Sequence, residues 1–432
     1  MSTSERLTRV RVPGDKSISH RCLMLTPLAE GASRIGGLAR SADVEATAAA
    51  MRALGATDAH IPLGGGVLEV SGPVQLHSPD DVLDCGNSGT SARLLLGLLA
   101  GQPLTARLTG DDSLRRRPMD RVVAPLREAG ATIRELAGPG RLPLEVNGGA
   151  LRSIEHSSPV ASAQVKSALI LAGLGAGVPV TVAEPGPSRD HTERLLLAMG
   201  AEVWTSVRGE RRVVHFAPRR ARLAPLDLTI PGDFSSAAYW VALALLGGAG
   251  PGVVMEGVGL NPGRTGFLRA LAAMGADTDV RQTGSEAGEP LGELAVRRSR
   301  LRALELPPEW IPTLLDEIPV LACLAVRASG TTSIRDAAEL RVKESDRIAR
   351  LCQNLAALGV HVREFPDGLE IEGTRARLSG SILTGGDHRI AMAFAILGAT
   401  PGCALEIDDR ECAAVSYPNF WAELERISEA SR

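Results

Sequence analysis

Five short stretches punctuate this chain of 432 residues at nearly even intervals. They read MRALGAT, LREAGAT, LLAMGAE, LAAMGAD and LAALGVH, and each is a helix-like run closing on a glycine before a strand-like stretch. The glycines are Gly55, Gly130, Gly200, Gly275 and Gly359, at spacings of 75, 70, 75 and 84 residues. Glycine just past a helix is the usual left-handed C-cap, because it has no Cβ to clash there. One occurrence says little. Five in near register mean a chain built from repeated supersecondary units.

A second series runs in step with the first. Six polar heads each lead an apolar helical run: GDKSISHRCLMLTPLA, GNSGTSARLLLGLLA, SAQVKSALILAGL, GDFSSAAYWVALALL, LDEIPVLACLAV and GDHRIAMAFAIL, starting near residues 14, 86, 162, 232, 315 and 386. These helices are too apolar to lie on a surface, and β-rich pieces such as LPLEVNG and GVLEVSG separate them. The pattern predicts six α/β units of buried parallel helices, and 432 residues exceed one ordinary core, so two lobes of three units are expected. PGDKS at Pro13 and PGDFS at Pro231 lie three units apart. The expected inserted lobe is therefore 14–232, with 1–13 and 233–432 forming the other and hinges near 13–15 and 231–233. The first strand, RLTRVRV, then belongs with the C-terminal lobe. Asp, Ser, Gly and Asn at the polar heads can serve as N-caps. Helix N-termini gathered on one side, in a cleft where the lobes meet, would also attract anions.

Composition narrows the function. Hydrophobic residues make up 44% and charged residues 22%, as in a soluble globular protein. A net charge of -3 and only 3% aromatics argue against a nucleic-acid partner. The start, MSTSERLTRVRV, lacks the apolar segment of a secretory signal, and the longest apolar stretch, around Tyr239 to Met255, is broken by glycines. No membrane association is expected. Six cysteines without C-x-x-C pairing read as buried thiols in a reducing cytoplasm. The eight histidines show no zinc spacing, so no metal is expected.

The chain has 47 Lys+Arg, yet only Lys16, Lys166 and Lys343 are lysines. A lysine pKa falls readily under burial or nearby positive charge, so it can move protons where arginine cannot. The polar heads supply the cations Lys16, Arg21, Arg93, Arg117, Lys166, Lys343, Arg347 and Arg389, and the carboxylates Asp43, Asp316, Glu317, Glu344, Asp346 and Asp387. So many cations without metal-ligand spacing point to substrates carrying several phosphate or carboxylate groups. Lys166, in an apolar helix, reads as structural. RVKESDRIARL, taken as a helix, sets Lys343 and Arg347 at i,i+4 with Glu344 one residue off that face.

The ordered stretches PGDKSISHR, GNSGTSAR, LTGDDSLRRRPM, SAQVKSA, SRDHTE, RVKESDR and GDHRIAM together resemble the 5-enolpyruvylshikimate-3-phosphate (EPSP) synthase family over nearly the whole chain. The resemblance implies a two-lobed, inside-out α/β barrel-like fold of six βαβαββ repeats, closing on its substrates at the hinge. It implies transfer of the enolpyruvyl group of phosphoenolpyruvate to the 5-hydroxyl of shikimate 3-phosphate, on the route to chorismate, by a cytoplasmic monomer without metal or cofactor. Ser17 and Arg21 match the clamp on the shikimate carboxylate; Ser162, Ala163 and Lys343 match the shikimate phosphate site, and Gln164 lies where the substrates meet. Arg347 and Arg389 match the grip on the phosphoenolpyruvate carboxylate. Asn87, Gly89, Arg117 and Lys16 match its phosphate site. Asp316 and Glu344 match the acid–base carboxylates: Asp316 takes the hydroxyl proton, and Glu344 with Lys16 protonates the enol carbon.

Departures from the common pattern mark a divergent branch. Ala163 replaces a serine, Arg189 in SRDHTE stands in for a tyrosine segment, and Val415 occupies a lysine position. The nearest rival reading is the related transferase acting on UDP-N-acetylglucosamine, which places a cysteine on the loop read here as DDSLRRRP. An RNA 3'-phosphate cyclase-like enzyme and a non-catalytic anion-binding protein are more distant alternatives.

Overall fold

The computed structural model describes residues 7–218 and 222–429; residues 1–6 of the expected first segment lie outside the described residues. Thirteen α-helices occur in it: α1 (Lys16–Leu25), α2 (Ala42–Ala53), α3 (Gly89–Ala100), α4 (Asp112–Arg116), α5 (Asp120–Glu128), α6 (Ala163–Ala176), α7 (His191–Ala198), α8 (Phe234–Leu245), α9 (Gly266–Ala273), α10 (Ile318–Ala325), α11 (Arg347–Ala357), α12 (His388–Gly398) and α13 (Phe420–Glu429). The chain divides into two compact units. The inserted unit holds Gly14–Ile230 and the short piece Ser285–Glu289; the outer unit holds the stretch up to Pro13, Pro231–Gly284 and the chain from Pro290 onward.

One strand-and-helix plan recurs in both. In the inserted unit, Leu83–Asp84 leads into α3 and pairs in parallel with Thr105–Thr109. That strand pairs antiparallel with Leu144–Asn147, which pairs antiparallel with Thr132–Glu135. The next repeat is the same: Ile154–Ser157, α6, Val180–Glu184, α7, then the hairpin Glu202–Arg208 and Arg211–Ala217. The plan is βαβαββ, with the helix before the second strand enclosed.

Two repeats exchange their first strands. Thr8–Val10 pairs in parallel with Gly252–Gly259 of the outer unit, while Asp227–Thr229 pairs in parallel with Gly31–Gly36 of the inserted unit. A parallel partner needs a crossover rather than a turn, so each of these strands reaches its repeat from a distant part of the chain.

Burial follows hydropathy. Every residue of α8 and of α10 is buried, and α3 is buried at all but Thr90. The strands alternate instead: Gly31–Gly36 and Thr105–Thr109 turn every second residue inward. Helices inside and half-exposed sheets outside give an inside-out α/β arrangement in each unit. A Cβ on Gly97 of α3 would lie 2.1 Å from the Ala168 carbonyl oxygen of α6, and one on Gly101 would lie 2.3 Å from that of Ala172. Contact advancing in the same direction on both helices makes α3 and α6 parallel, and glycine is what lets their backbones touch.

The five spacer glycines do what their positions require. Gly55, Gly130, Gly200, Gly275 and Gly359 have φ between 77° and 112°. At each, the next residue donates its N–H back across the helix end, as Ala56 does to Met51 and Ala201 to Leu196; this is the Schellman closure. The segment RVKESDRIARL departs from the single helix expected of it. A 3-10 turn spans Ala338–Val342, Lys343 is extended, and α11 begins only at Arg347. Asp346 is the reason: its side chain accepts from the Ala349 N–H at 3.0 Å and so starts a new helix there. Lys343 and Arg347 are therefore not on one helical turn. Among the described residues, no helix is long and apolar enough to cross a membrane.

Candidate active site

Five of the six polar heads cap the helix they precede. Asp15, Ser88, Ser162, Asp233 and Asp387 each accept a backbone N–H of the first turn of α1, α3, α6, α8 and α12. Each cap satisfies one of the donors that a helix N-terminus leaves open, so capping and anion attraction coexist at these ends.

In the inserted unit, Lys16 opens α1 and its Nζ lies 2.7 Å from Asp43 Oδ2, near the start of α2. Arg21, one turn on, is buried. Its guanidinium donates to the Ser17 carbonyl at 2.8 Å, to Thr192 Oγ1 at 2.6 Å and to Ser167 Oγ at 2.8 Å. Burial pulls its pKa down to about 10, with Glu193 and Asp15 acting in the opposite direction, and Arg21 stays a cation at neutral pH. Arg189 is near enough for its charge to act on Arg21.

The loop before α3 gathers the next group. Arg117 donates to Asn87 Oδ1 at 2.6 Å, and Asn87 donates in turn to Asp111 at 2.6 Å. Arg93, buried, reaches Gln164 Oε1 at 2.8 Å and the Pro118 carbonyl at 2.9 Å. Gln164 closes the group by donating to Thr90 at 3.0 Å. A Cβ on Gly89 would lie 2.8 Å from Arg93 and 3.4 Å from Arg117, so both guanidiniums face the bare glycine backbone at the N-terminus of α3. Such a pair over open helix N–H groups suits a phosphate. Ser162 and Ala163 begin α6 beside this group, with the Ser162 N–H donated to Glu184 at 2.9 Å.

The outer unit centres on Asp316. Its carboxylate lies 3.7 Å from Lys343, 3.8 Å from Arg347 and 3.7 Å from Arg389. Arg389 also donates to the Asp316 carbonyl at 2.9 Å. Arg347, buried, bonds Asp387 at 2.9 Å and pairs with Glu344. Burial works against the charges of Arg347 and Arg389, yet Asp387 and Glu344 around the one and Asp316 around the other hold both firmly protonated. Burial also lowers the Lys343 pKa, against the pull of Asp316. Asp316 is thus the shared carboxylate partner of three cations.

The sequence-expected residues therefore fall into two groups, one per unit: Lys16, Ser17, Arg21, Asn87, Gly89, Arg117, Ser162, Ala163, Gln164 and Arg189 in the inserted unit, and Asp316, Lys343, Glu344, Arg347 and Arg389 in the outer one. Sequence reasoning counted Arg93 and Asp43 among the charges but gave them no role. Thr192 and Ser167 were missed, and only SRDHTE and SAQVKSA hinted at them.

A family model described as EPSP synthase (3-phosphoshikimate 1-carboxyvinyltransferase) matches residues 3–424. A 3-phosphoshikimate 1-carboxyvinyltransferase of Gloeobacter violaceus is 52% identical over 423 residues, covering 97% of this chain and 96% of that one. One from Thermus thermophilus is 50% identical over 426 residues, covering 98% and 97%. The solved EPSP synthase of Acinetobacter baumannii superposes with a TM-score of 0.82 at 37% identity, covering 98% and 96%. The enolpyruvyl transferase NikO of Streptomyces tendae shares the fold, with a TM-score of 0.74 at 19% identity over 98% and 95%. The chain belongs to the EPSP synthase (3-phosphoshikimate 1-carboxyvinyltransferase) family.

Proposed function

We propose that this chain transfers the enolpyruvyl group of phosphoenolpyruvate to the 5-hydroxyl of shikimate 3-phosphate and releases inorganic phosphate. The observation that carries the reading is Asp316, a carboxylate facing Lys343, Arg347 and Arg389 at 3.7–3.8 Å in a chain of this family. Both substrates carry a carboxylate and a phosphate, and the two groups of residues together offer a cationic partner for each. Ser17 and Arg21 take the shikimate carboxylate; Ser162, Ala163, Arg189 and Lys343 take its phosphate. Arg347 and Arg389 take the phosphoenolpyruvate carboxylate. Lys16, Asn87, Gly89 and Arg117 take its phosphate, and Gln164 contacts both molecules.

The reaction is an addition followed by an elimination. The 5-hydroxyl oxygen bonds to C2 of phosphoenolpyruvate while its proton passes to Asp316. Glu344, assisted by Lys16, gives a proton to C3, and the methylene becomes a methyl group on a tetrahedral ketal. The C2–O bond to phosphate then breaks as Asp316 passes its proton to the departing phosphate oxygen, the methyl group returns a proton to Glu344, and the enol ether forms. Glu344 pairs with Arg347, and a substrate carboxylate gripped by Arg347 would compete for that guanidinium and free Glu344 to carry a proton. Positioned acid–base steps of this kind contribute about 10²–10⁴ in rate each.

The six unpaired thiols suit a reducing compartment, and the proposal includes a cytoplasmic monomer, for which sedimentation should give a one-chain mass. Phosphate release from phosphoenolpyruvate tests the activity. Release that depends on shikimate 3-phosphate, and is absent with UDP-N-acetylglucosamine or with no acceptor, is the expected result. Release with the nucleotide sugar instead would assign the chain to the sister reaction.

A further inference from the structure

Lys166 sits on α6 without any solvent exposure. Its Nζ lies 2.7 Å from Ser188 Oγ, 3.2 Å from Glu184 and 2.8 Å from Glu193, and both carboxylates are themselves buried. Ser188 donates to Glu184 at 2.9 Å. Burial disfavours the Lys166 charge, but Glu193 and Glu184 more than offset it and raise its pKa above the ordinary lysine value. The cluster is one buried ammonium held against two buried carboxylates, with the Arg21 charge near enough to interact with Glu193.

The neighbours of this cluster are the residues that take shikimate 3-phosphate. Glu184 accepts the Ser162 N–H at 2.9 Å and so fixes the first residue of the SAQ segment. Ser167, next to Lys166, and Thr192, next to Glu193, bond each other at 2.7 Å and both receive Arg21. The Lys166–Glu193 pair therefore ties α6 to α7 at the point where Arg21 is held. A lysine that merely filled space in an apolar helix would not need two buried carboxylates, and a buried carboxylate beside a phosphate site repels its ligand unless it is neutralised.

We infer that Lys166 is a positioning residue for shikimate 3-phosphate: it neutralises Glu184 and Glu193 beside the phosphate site and locks Ser162 and Arg21 in place, without touching the substrate. This rests on the substrate assignment proposed above. The charge account makes an ordered prediction. Lys166→Met takes away the ammonium in contact with both carboxylates, Lys166→Met/Glu193→Gln restores the wild-type net charge, and Glu193→Gln removes a negative charge while keeping a hydrogen-bonding side chain of the same shape.

The test is calorimetric binding of shikimate 3-phosphate to the full-length wild type and these three variants, with KM measured for both substrates. Lys166→Met should weaken shikimate 3-phosphate binding by about tenfold or more while the phosphoenolpyruvate KM stays within about twofold. The double variant should recover most of the loss, and Glu193→Gln should bind at least as tightly as wild type. Equal affinity in wild type and Lys166→Met, or equal losses for both substrates, would overturn the inference alone. A wild type that does not bind shikimate 3-phosphate would overturn the substrate assignment and the inference with it. If Lys166→Met fails to fold, Glu193→Gln decides: weaker binding by that variant contradicts the charge account.

Discussion

His20 shows how one side chain of the PGDKSISHR stretch is tied into the structure. It is fully buried, and its Nδ1 lies 2.7 Å from Thr47 Oγ1, which is 2.6 Å from Ser91, which donates to Ser88 at 2.8 Å. This hydroxyl relay links α1, α2 and the cap of α3. Burial pushes the His20 pKa well below its ordinary value, and the charges of Lys16 and Arg21 push the same way. The folded state thus keeps His20 neutral where the unfolded chain protonates it, so folding stability falls as pH drops below about 6.5, by up to about 1.4 kcal/mol per pH unit until the folded pKa is reached. His20→Asn should flatten that slope. Melting temperatures of the two proteins from pH 7.5 to 5 check it, and parallel slopes would contradict the assignment. Lys16 is the second test at this scale. Its Nζ lies 2.7 Å from Asp43, and a guanidinium is larger than an ammonium and cannot give up a proton near neutral pH, so Lys16→Arg should fold normally yet lose about 10²-fold or more in kcat; near-wild-type turnover would remove its role in proton transfer.

At the scale of elements, the parallel contact of α3 and α6 depends on glycine. The Cβ of a Gly97→Ala variant would meet the Ala168 backbone at 2.1–2.6 Å, and backbone cannot swing aside as a side chain can. The helices would have to separate, at a cost of about 1–3 kcal/mol or more. Gly186→Ala, where nothing lies within 4 Å, should change stability little. Denaturant melts of both variants give the comparison. Lys166→Met, which leaves Glu184 and Glu193 buried without their cation, should cost about 3–5 kcal/mol by the same measurement. Much at this scale was legible in the sequence because it is local: the five closing glycines, the caps at Asp15, Ser88, Ser162, Asp233 and Asp387, and the wholly apolar helices are set by neighbouring residues. The helix read through Lys343 failed for a local reason too. Asp346 competes as an N-cap, and the periodicity of charges across it carried no sign of the break.

Over the whole molecule, what could not be read was long-range. Arg21 is held by Ser167 and Thr192, 146 and 171 residues away, and no spacing rule connects such positions. The placing of Thr8–Val10 with the outer unit follows from the doubled Pro-Gly-Asp signature, but the pairing of Asp227–Thr229 with Gly31–Gly36 and the grouping of Ser285–Glu289 with the inserted unit do not. There His191 lies 2.6 Å from Glu289, a pairing of residues 98 apart. Fold alone would not have fixed the chemistry either: NikO shares the architecture at 19% identity, and a fold hosts more than one activity. The functional reading rests on the charged groups and on the family. The measurement that tests it most directly is proton NMR of the reaction run in deuterium oxide with phosphoenolpyruvate and shikimate 3-phosphate. The account predicts an enol ether on the 5-oxygen whose methylene carries deuterium, because a methyl group forms from solvent-exchanged acid and then gives up one of its hydrogens. Unchanged phosphoenolpyruvate, or pyruvate and phosphate with no ether, would contradict it.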